Sequence, residues 1–383
     1  MSKFTKIYWR SSGVPLWGQV FLIALAVLAF LLAENLRQRD PVVDKNYATM
    51  VNAAKIMREG MDVLKPLRAQ LAPINPEFDP QRSGLVGLEN SIITTNQGGR
   101  ESKQTTVNPN WAAVAVKLLA DAGVGEGDLV AVTVSGSFPA MNLAVYSALE
   151  ALGADAIIIA SASSSQWGAN VPGFAWLDME RELRNAGVIS MKPIYASLGG
   201  IEDRGIGISE EGIRSLKRSI DRADIEFIDP ANYQEAVADR IAIFREYSAE
   251  RSYKAFVNVG GGATIVGPPG IDDMFKSGLQ KDAPARAFAV DTVMGYFLQE
   301  EIPGIHFIGI KNLANRYGLP IAPIEPVPVG NGGIYSATVY NRWLAIALGL
   351  GLFGMTWLIV RSARITSIFN RAGGHGKITK PMV

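Results

Sequence analysis

Three short stretches hold the residue types that could act on a small anion or an acyl group. They are Ser135-Gly136-Ser137, Ser161-Ala162-Ser163-Ser164-Ser165 and Gly260-Gly261-Gly262. Each follows an apolar run with strand character: Leu129 to Val134, Ala156 to Ala160, and Lys254 to Val259. Bare amides and hydroxyls at strand ends suit a carboxylate or a phosphate. In an open α/β sheet, ligands bind outside the carboxyl ends of strands, near the point where strand order reverses. The ligand-binding candidates are therefore Ser135, Gly136, Ser137, Ser163, Ser164, Ser165, Gly260, Gly261 and Gly262. Small residues there also simply permit tight strand-to-helix turns. No Lys-Ser or Lys-Thr follows a glycine run, so a Walker A loop is absent.

Catalysis has few candidates. Ser135 and Ser137 stand after a strand and ahead of a helix, like the serine of a nucleophile elbow. Thr133 and Val134 precede Ser135, so the G-x-S-x-G pattern is missing. The chain has two histidines, His306 and His375, and His306 is the candidate base; a lysine is the substitute. Asp155, Asp178, Asp229 and Asp291 fall near element ends and could orient a histidine. The plainer reading is a structural His306 and loop-forming serines. The absence of cysteine removes thiolate nucleophiles, disulfides and Cys-based metal sites. No spacing supports a metal, and no cofactor is expected. Arg214, Arg218 and Arg222 recur at i, i+4, i+8 on one helix and are candidate contacts for an acidic polymer. The same stripe also reads as a solvated face paired with Glu210, Glu211 and Asp221.

The elements that must position these residues alternate between strand and helix. After Leu129–Val134, Pro139 opens a helix with apolar residues at Met141, Val145, Ala148, Leu149 and Leu152, and Gly153 ends it. After Ala156–Ala160, a helix runs from Ala175 to Ala186. Further strands are expected at Lys192–Ala196 and Ile305–Ile308. Further helices are expected from Ser209, over Asn232–Glu250, near Ala287–Gln299 and at Asn312–Tyr317. The expected fold is α/β, a mainly parallel Rossmann-like three-layer sandwich. Upstream, Asn46–Leu71 has helical spacing broken by Pro66 and Pro73, Leu88–Thr94 reads as a short strand, and a helix runs from Asn108 to Gly123.

One transmembrane helix is expected at each end. Pro15–Ala33 and Leu344–Val360 are apolar runs about long enough to span a bilayer. Charge is +4 over 1–39, +6 over 342–383 and −9 between them. The basic ends place both termini in the cytoplasm of a bacterial membrane, with the centre outside. A cleaved signal peptide competes, but Leu31 before Ala33 fits a cleavage site poorly. The acidic centre argues against nucleic acid as a partner. Gly349, Gly351 and Gly354 match G-x-G-x-x-G without a preceding strand. They read instead as close helix packing through Ala345/Gly349 and Ala347/Gly351, or as part of a plain lipid-facing helix. The division expected is a cytoplasmic tail and span over 1–39 and a helical stalk and connection over 40–107. An extracytoplasmic α/β domain over 108–330 follows, then a link and second span over 331–361 and a basic tail over 362–383.

Residues Asn108 to Ile157, the run SSSQWGAN from Ser163 to Asn170, and FVNVGGGATIVG from Phe256 to Gly267 carry a likeness. With the anchors, they resemble the poly-gamma-glutamate system protein family, the W component of bacterial poly-γ-glutamate synthesis systems. That resemblance implies a membrane-bound accessory beside an ATP-dependent poly-γ-glutamate ligase and a multi-span membrane subunit, in synthesis or export of the polymer. It transfers no catalytic residues. Three functions stay open: an accessory whose domain binds carboxylate or γ-glutamyl chain, a serine-dependent hydrolase or transferase on γ-glutamyl bonds, and a small-carboxylate receptor. The acidic domain repels poly-γ-glutamate over a screening length of about 8–10 Å. Contact then needs local donors, from the neutral loops or the arginine stripe.

Overall fold

In the computed structural model the described residues are 14, 16–36, 38–71, 73–248, 251–339 and 341–372, with backbone alone for 38–43, 336–339 and 363–372. The basic and aromatic residues Lys3, Lys6, Tyr8, Trp9, Arg10 and Arg37, and the tail from 373 onward, lie outside the described residues. The chain divides into two compact units, Val43–Ser336 and a second formed by Met1–Val42 with Ala337–Val383.

In chain order the first elements are α1 (Leu16–Asn35), β1 (Gln38–Val43), α2 (Tyr47–Leu71), α3 (Arg100–Thr106) and α4 (Trp111–Asp121). The alternating region follows: β2 (Leu129–Ser135), α5 (Pro139–Leu152), β3 (Asp155–Ser161), a hairpin of β4 (Asn170–Val171) and β5 (Phe174–Ala175), α6 (Trp176–Asn185), β6 (Tyr195–Ser197), α7 (Glu210–Ala223), β7 (Glu226–Ile228) and α8 (Tyr233–Tyr247). Then come β8 (Tyr253–Val259), α9 (Ala263–Val266), β9 (Gly278–Gln280), α10 (Val293–Gln299), β10 (Gly304–Phe307) and α11 (Ile310–Tyr317). Strand β11 (Ser336–Val339), paired with β1, and α12 (Arg342–Ala372) complete the chain.

Seven strands form one sheet in the order β7-β6-β3-β2-β8-β10-β9, and only β9 runs antiparallel, against β10. The chain builds outward from β2 through β3, β6 and β7, then returns to lay β8 on the other side of β2. Strand order therefore reverses between β2 and β8. The β2–β3 register brings Ser135 beside Ser161, so the two serine loops leave the sheet side by side.

The two sheet faces feed two apolar cores, as expected of a mainly parallel α/β sheet. Val130, Val132, Val134, Ile158 and Ala160 join residues of α4, α5 and α6 on one face. Ala131, Ile159 and Phe256 join Phe244 of α8 and Phe297 of α10 on the other. Burying each Val, Ile or Phe side chain among them contributes about 1.5–3 kcal/mol.

Helix α5 is buried without interruption from Pro139 to Leu149, the polar Asn142 and Ser147 included, so it must be covered on every side. Its second cover is α2, which packs on α4, α5 and α6 through Met50, Ala53, Met57, Met61 and Leu64. A Cβ on Gly60 would lie 2.9 Å from Leu143 Cδ1, so the two helices meet closely there. The expected stalk over 40–107 is therefore corrected: α2 belongs to the α/β unit and adds a layer outside the sandwich. Pro66 does not break α2, which continues to Leu71. Leu64 and Arg68 are buried on either side of it, and that packing offsets the ~3 kcal/mol a helix proline costs. The strand expected over Leu88–Thr94 is turns, with one bridge from Thr94 to Ser164.

In the unit made by the two ends, Leu16–Asn35 and Arg342–Ser362 are each long and apolar enough to cross a membrane. Helices α1 and α12 pack together. The more buried face of α1 carries Gly18, Leu22, Ala26, Ala29 and Ala33, and that of α12 carries Leu344, Leu348, Leu352, Thr356 and Ile359. The small residues at this contact come from α1. A Cβ at Gly349, Gly351 or Gly354 would meet nothing within 4 Å. The expected small pairs of α12 thus lie off the α1–α12 contact.

Candidate functional site

At the carboxyl ends of β2, β3 and β8 lies a cleft of about 550 Å³. It sits where strand order reverses. The three loops singled out from sequence meet there. Six of the nine candidates line the cleft: Ser135, Ser137, Ser163, Ser165, Gly261 and Gly262. The other three hold the loops together. Gly136 N–H donates to the carbonyls of Ser161 (3.3 Å) and Ser163 (3.1 Å), and its own carbonyl accepts from Ala169 N–H at 2.7 Å. A Cβ on Gly136 would stand 2.8 Å from Ser163 O, so only glycine fits. The Ser164 hydroxyl is fully buried and donates to the Gly136 carbonyl at 2.9 Å. Gly260 has φ +95°, a conformation that favours glycine.

The cleft floor is held by one polar row across three strands. Thr133 Oγ1 donates to Asn258 Oδ1 at 2.9 Å, and Asn258 Nδ2 donates to the Gly260 carbonyl (2.7 Å) and to His306 Nδ1 (3.1 Å). The walls come from outside the three loops. One is the segment Thr95–Gly99, tied down by Thr95 N–H to Ser164 O at 2.9 Å. Another is Ile308–Gly309–Ile310 at the start of α11. The backbone N–H groups of Phe138, Gly261 and Gly262 have no hydrogen-bond partner among the described residues. They are donors available to a bound anion.

Lys103 of α3 is one cleft residue that sequence reasoning missed. It is 2 % exposed, and its Nζ donates to the Ser137 carbonyl and lies 3.0 Å from Ser165 Oγ. The ammonium sits 3.4 Å from the Phe138 ring centroid. No carboxylate pairs with it among the described residues, and burial lowers its pKa to about 7. Helix α3, RESKQTT, has no apolar period, so nothing in its local pattern announces a buried lysine.

The opposite flank is a closed charge network. Arg240 and Asp203, 1 % and 4 % exposed, pair at 2.6 Å. The guanidinium also donates to Ser161 Oγ (3.1 Å) and Ser197 Oγ (2.8 Å), and Ser197 donates to Asp203 Oδ1 at 2.7 Å. Asp203 holds φ +66° in the glycine-rich loop after β6; its carboxylate bonds offset the cost of that conformation. This loop carries Asp203 and Gly200 to the cleft wall.

Other sequence candidates stand elsewhere. His306 is fully buried within β10 and does not line the cleft. Burial pushes its pKa down to about 4. Its bonded partner is Asn258, not an aspartate, so the candidate base for Ser135 or Ser137 is corrected to a structural histidine. Asp178 is taken up by Ser219, Arg222 and the N–H of Ala175. Arg222 is thereby bound at 2.6 Å to buried Asp178, and Arg214 faces Glu210. Arg214, Arg218 and Arg222 do not form one free cationic stripe, and none of them lines the cleft. No cluster of three or more metal-ligating side chains occurs among the described residues.

No protein-family model, curated protein or solved structure matches the chain.

Proposed function

We propose that the Val43–Ser336 unit is a carboxylate-binding domain, anchored in a bacterial cytoplasmic membrane by α1 and α12 with its bulk on the outer side. In this reading it serves poly-γ-glutamate synthesis or export as an accessory of the ligase and a multi-span membrane subunit. The observation that carries the binding role is Lys103, a buried cation without a carboxylate partner among the described residues, on a cleft lined by hydroxyls and unpaired amides. An uncompensated buried charge is costly, and a bound carboxylate would supply the missing counter-charge. A γ-glutamyl chain offers a carboxylate and an amide in every residue, which matches a cleft of mixed donors and acceptors. The resemblance of the three stretches and the anchors supplies the polymer, the membrane and the partners.

Calorimetric titration of the full chain in detergent tests the binding role, with glutamate and γ-glutamyl oligomers as titrants and glutamine amide as the carboxylate-free comparison. Carboxylates should bind with proton uptake, seen as heats that vary with buffer ionisation, because an anion beside Lys103 raises its pKa. No binding by either carboxylate rules that role out. Purification from solubilised membranes tests the accessory role: the ligase and the membrane subunit should accompany the chain, and the absence of both would count decisively against it. Protease treatment of spheroplasts should digest the central unit; full protection reverses the orientation.

A further inference from the structure

A binding role alone does not require a hydroxyl at hydrogen-bond distance from the buried amine. Ser165 lines the cleft, is 6 % exposed, and places Oγ 3.0 Å from Lys103 Nζ. Its own N–H donates to Ser137 Oγ at 3.1 Å, which fixes the backbone behind it. The amine has three neighbours: the Ser137 carbonyl, the Ser165 hydroxyl and the Phe138 ring face. Charged, it donates to all three. Neutral, it keeps the carbonyl and ring contacts and turns its lone pair to the Ser165 O–H. Both protonation states are satisfied by one geometry, which is what a proton shuttle needs.

We propose that Ser165 and Lys103 are a nucleophile and base that transfer the acyl group of a carboxylic amide or ester held in this cleft. The proposal rests on the cleft assigned above and names a reaction for it. Ser165 Oγ attacks the carbonyl carbon and forms a C–O bond while Lys103 Nζ takes the hydroxyl proton. The C–N or C–O bond to the leaving group breaks, and Lys103 returns that proton to the leaving nitrogen or oxygen. Water then attacks the Ser165 ester, gives a proton to Lys103, and releases the carboxylic acid with the serine hydroxyl restored. The unpaired N–H groups of Gly261 and Gly262, which line the same cleft, are the donors available to the oxyanion. This places the nucleophile in the second serine run rather than at Ser135 or Ser137, whose hydroxyls have no base bonded to them among the described residues.

Burial puts the Lys103 pKa at about 7, where a base can act at neutral pH. The charged groups around it are committed to other partners. Glu101 of α3 pairs with Lys311 of α11 at 2.6 Å, and Asp203 pairs with Arg240. Arg100 lies over the Phe78 and Trp167 rings.

The test is labelling of the full chain in detergent with a fluorophosphonate, which reacts with activated serines, followed by peptide mass mapping. The expected adduct is on Ser165, with a rate that rises about tenfold or more from pH 6 to pH 8 and levels above it. Ser165→Ala should abolish the adduct. Lys103→Arg keeps a cation but cannot accept a proton, and should slow labelling by about 100-fold. Should that variant not fold, the pH profile of the unaltered chain decides alone. No adduct on Ser165 overturns the proposal, and so does a rate without an inflection between pH 6 and pH 8. Glutamate binding without the adduct removes the reaction and keeps the binding role; the adduct without glutamate binding does the opposite.

Discussion

Replacing Lys103 by methionine should stabilise the protein at neutral pH, against the usual effect of a core substitution. Burial lowers the Lys103 pKa from 10.5 to about 7. Every tenfold loss of proton affinity corresponds to ~1.36 kcal/mol between the charged and neutral forms. At pH 7 the unfolded chain carries this proton fully and the folded chain about half, so holding the amine in the fold costs about 4 kcal/mol. Methionine removes that cost and forfeits the bonds to the Ser137 carbonyl and Ser165, worth about 1–3 kcal/mol together. The net gain is about 1–3 kcal/mol. The sign of the pH dependence follows from the same lowered pKa. Between about pH 7 and pH 10 the unfolded state binds more protons than the folded one, so stability rises with pH. From pH 7 to pH 9 the unaltered chain should gain about 2 kcal/mol from this group, and Lys103→Met should lose that increment. Urea unfolding followed by tryptophan fluorescence at both pH values measures it. Parallel changes in the two proteins would refute the assignment of Lys103 as a buried, unpaired amine.

Three other substitutions probe the scaffold. Gly136→Ala drives a Cβ to 2.8 Å from Ser163 O; it should cost about 1–3 kcal/mol in urea unfolding and weaken carboxylate binding. Arg240→Met strands the Asp203 carboxylate in the interior and should cost about 3–5 kcal/mol. Adding Asp203→Asn to it should recover part of the loss, measured as a double-mutant cycle. His306 is held neutral, its pKa lowered from 6.5 to about 4, so its contribution is complete above pH 6.5 and falls away as pH drops toward 4. His306→Asn should remove about 3 kcal/mol of the acid sensitivity between those values, read from thermal melts at pH 7 and pH 4.5.

The parts of this fold that the sequence displays are those whose own residues carry a period. Strand β2 is an unbroken apolar run, and α5 opens on Pro139 and closes on Gly153, which takes the left-handed φ of +66° a C-terminal glycine favours. Strands β7 and β9 are three residues each, too short for any alternation to register. Helix α2 shows its apolar stripe plainly in Met50, Met57, Met61 and Leu64, but a stripe does not say what covers it. Only the tertiary structure turns the expected stalk into a layer of the core. The serine and glycine loops could be read as meeting at one end of the sheet because each directly follows an apolar strand run, and the parallel order of β3, β2 and β8 brings them together. Lys103 was not legible, because its role comes from Phe138 and Ser165, which lie 35 and 62 positions away in the chain. The same holds for Asp203, whose partner Arg240 stands on α8.

The Thr133–Asn258–His306 row has a mechanical consequence. It ties β2, β8 and β10 together directly beneath the crevice, so the two strands that flank it cannot part without exposing buried polar groups. The rim above it is loop, the Thr95–Gly99 segment and the glycine-rich stretch carrying Asp203. Amide exchange should be slowest at the base and fastest at those two lips.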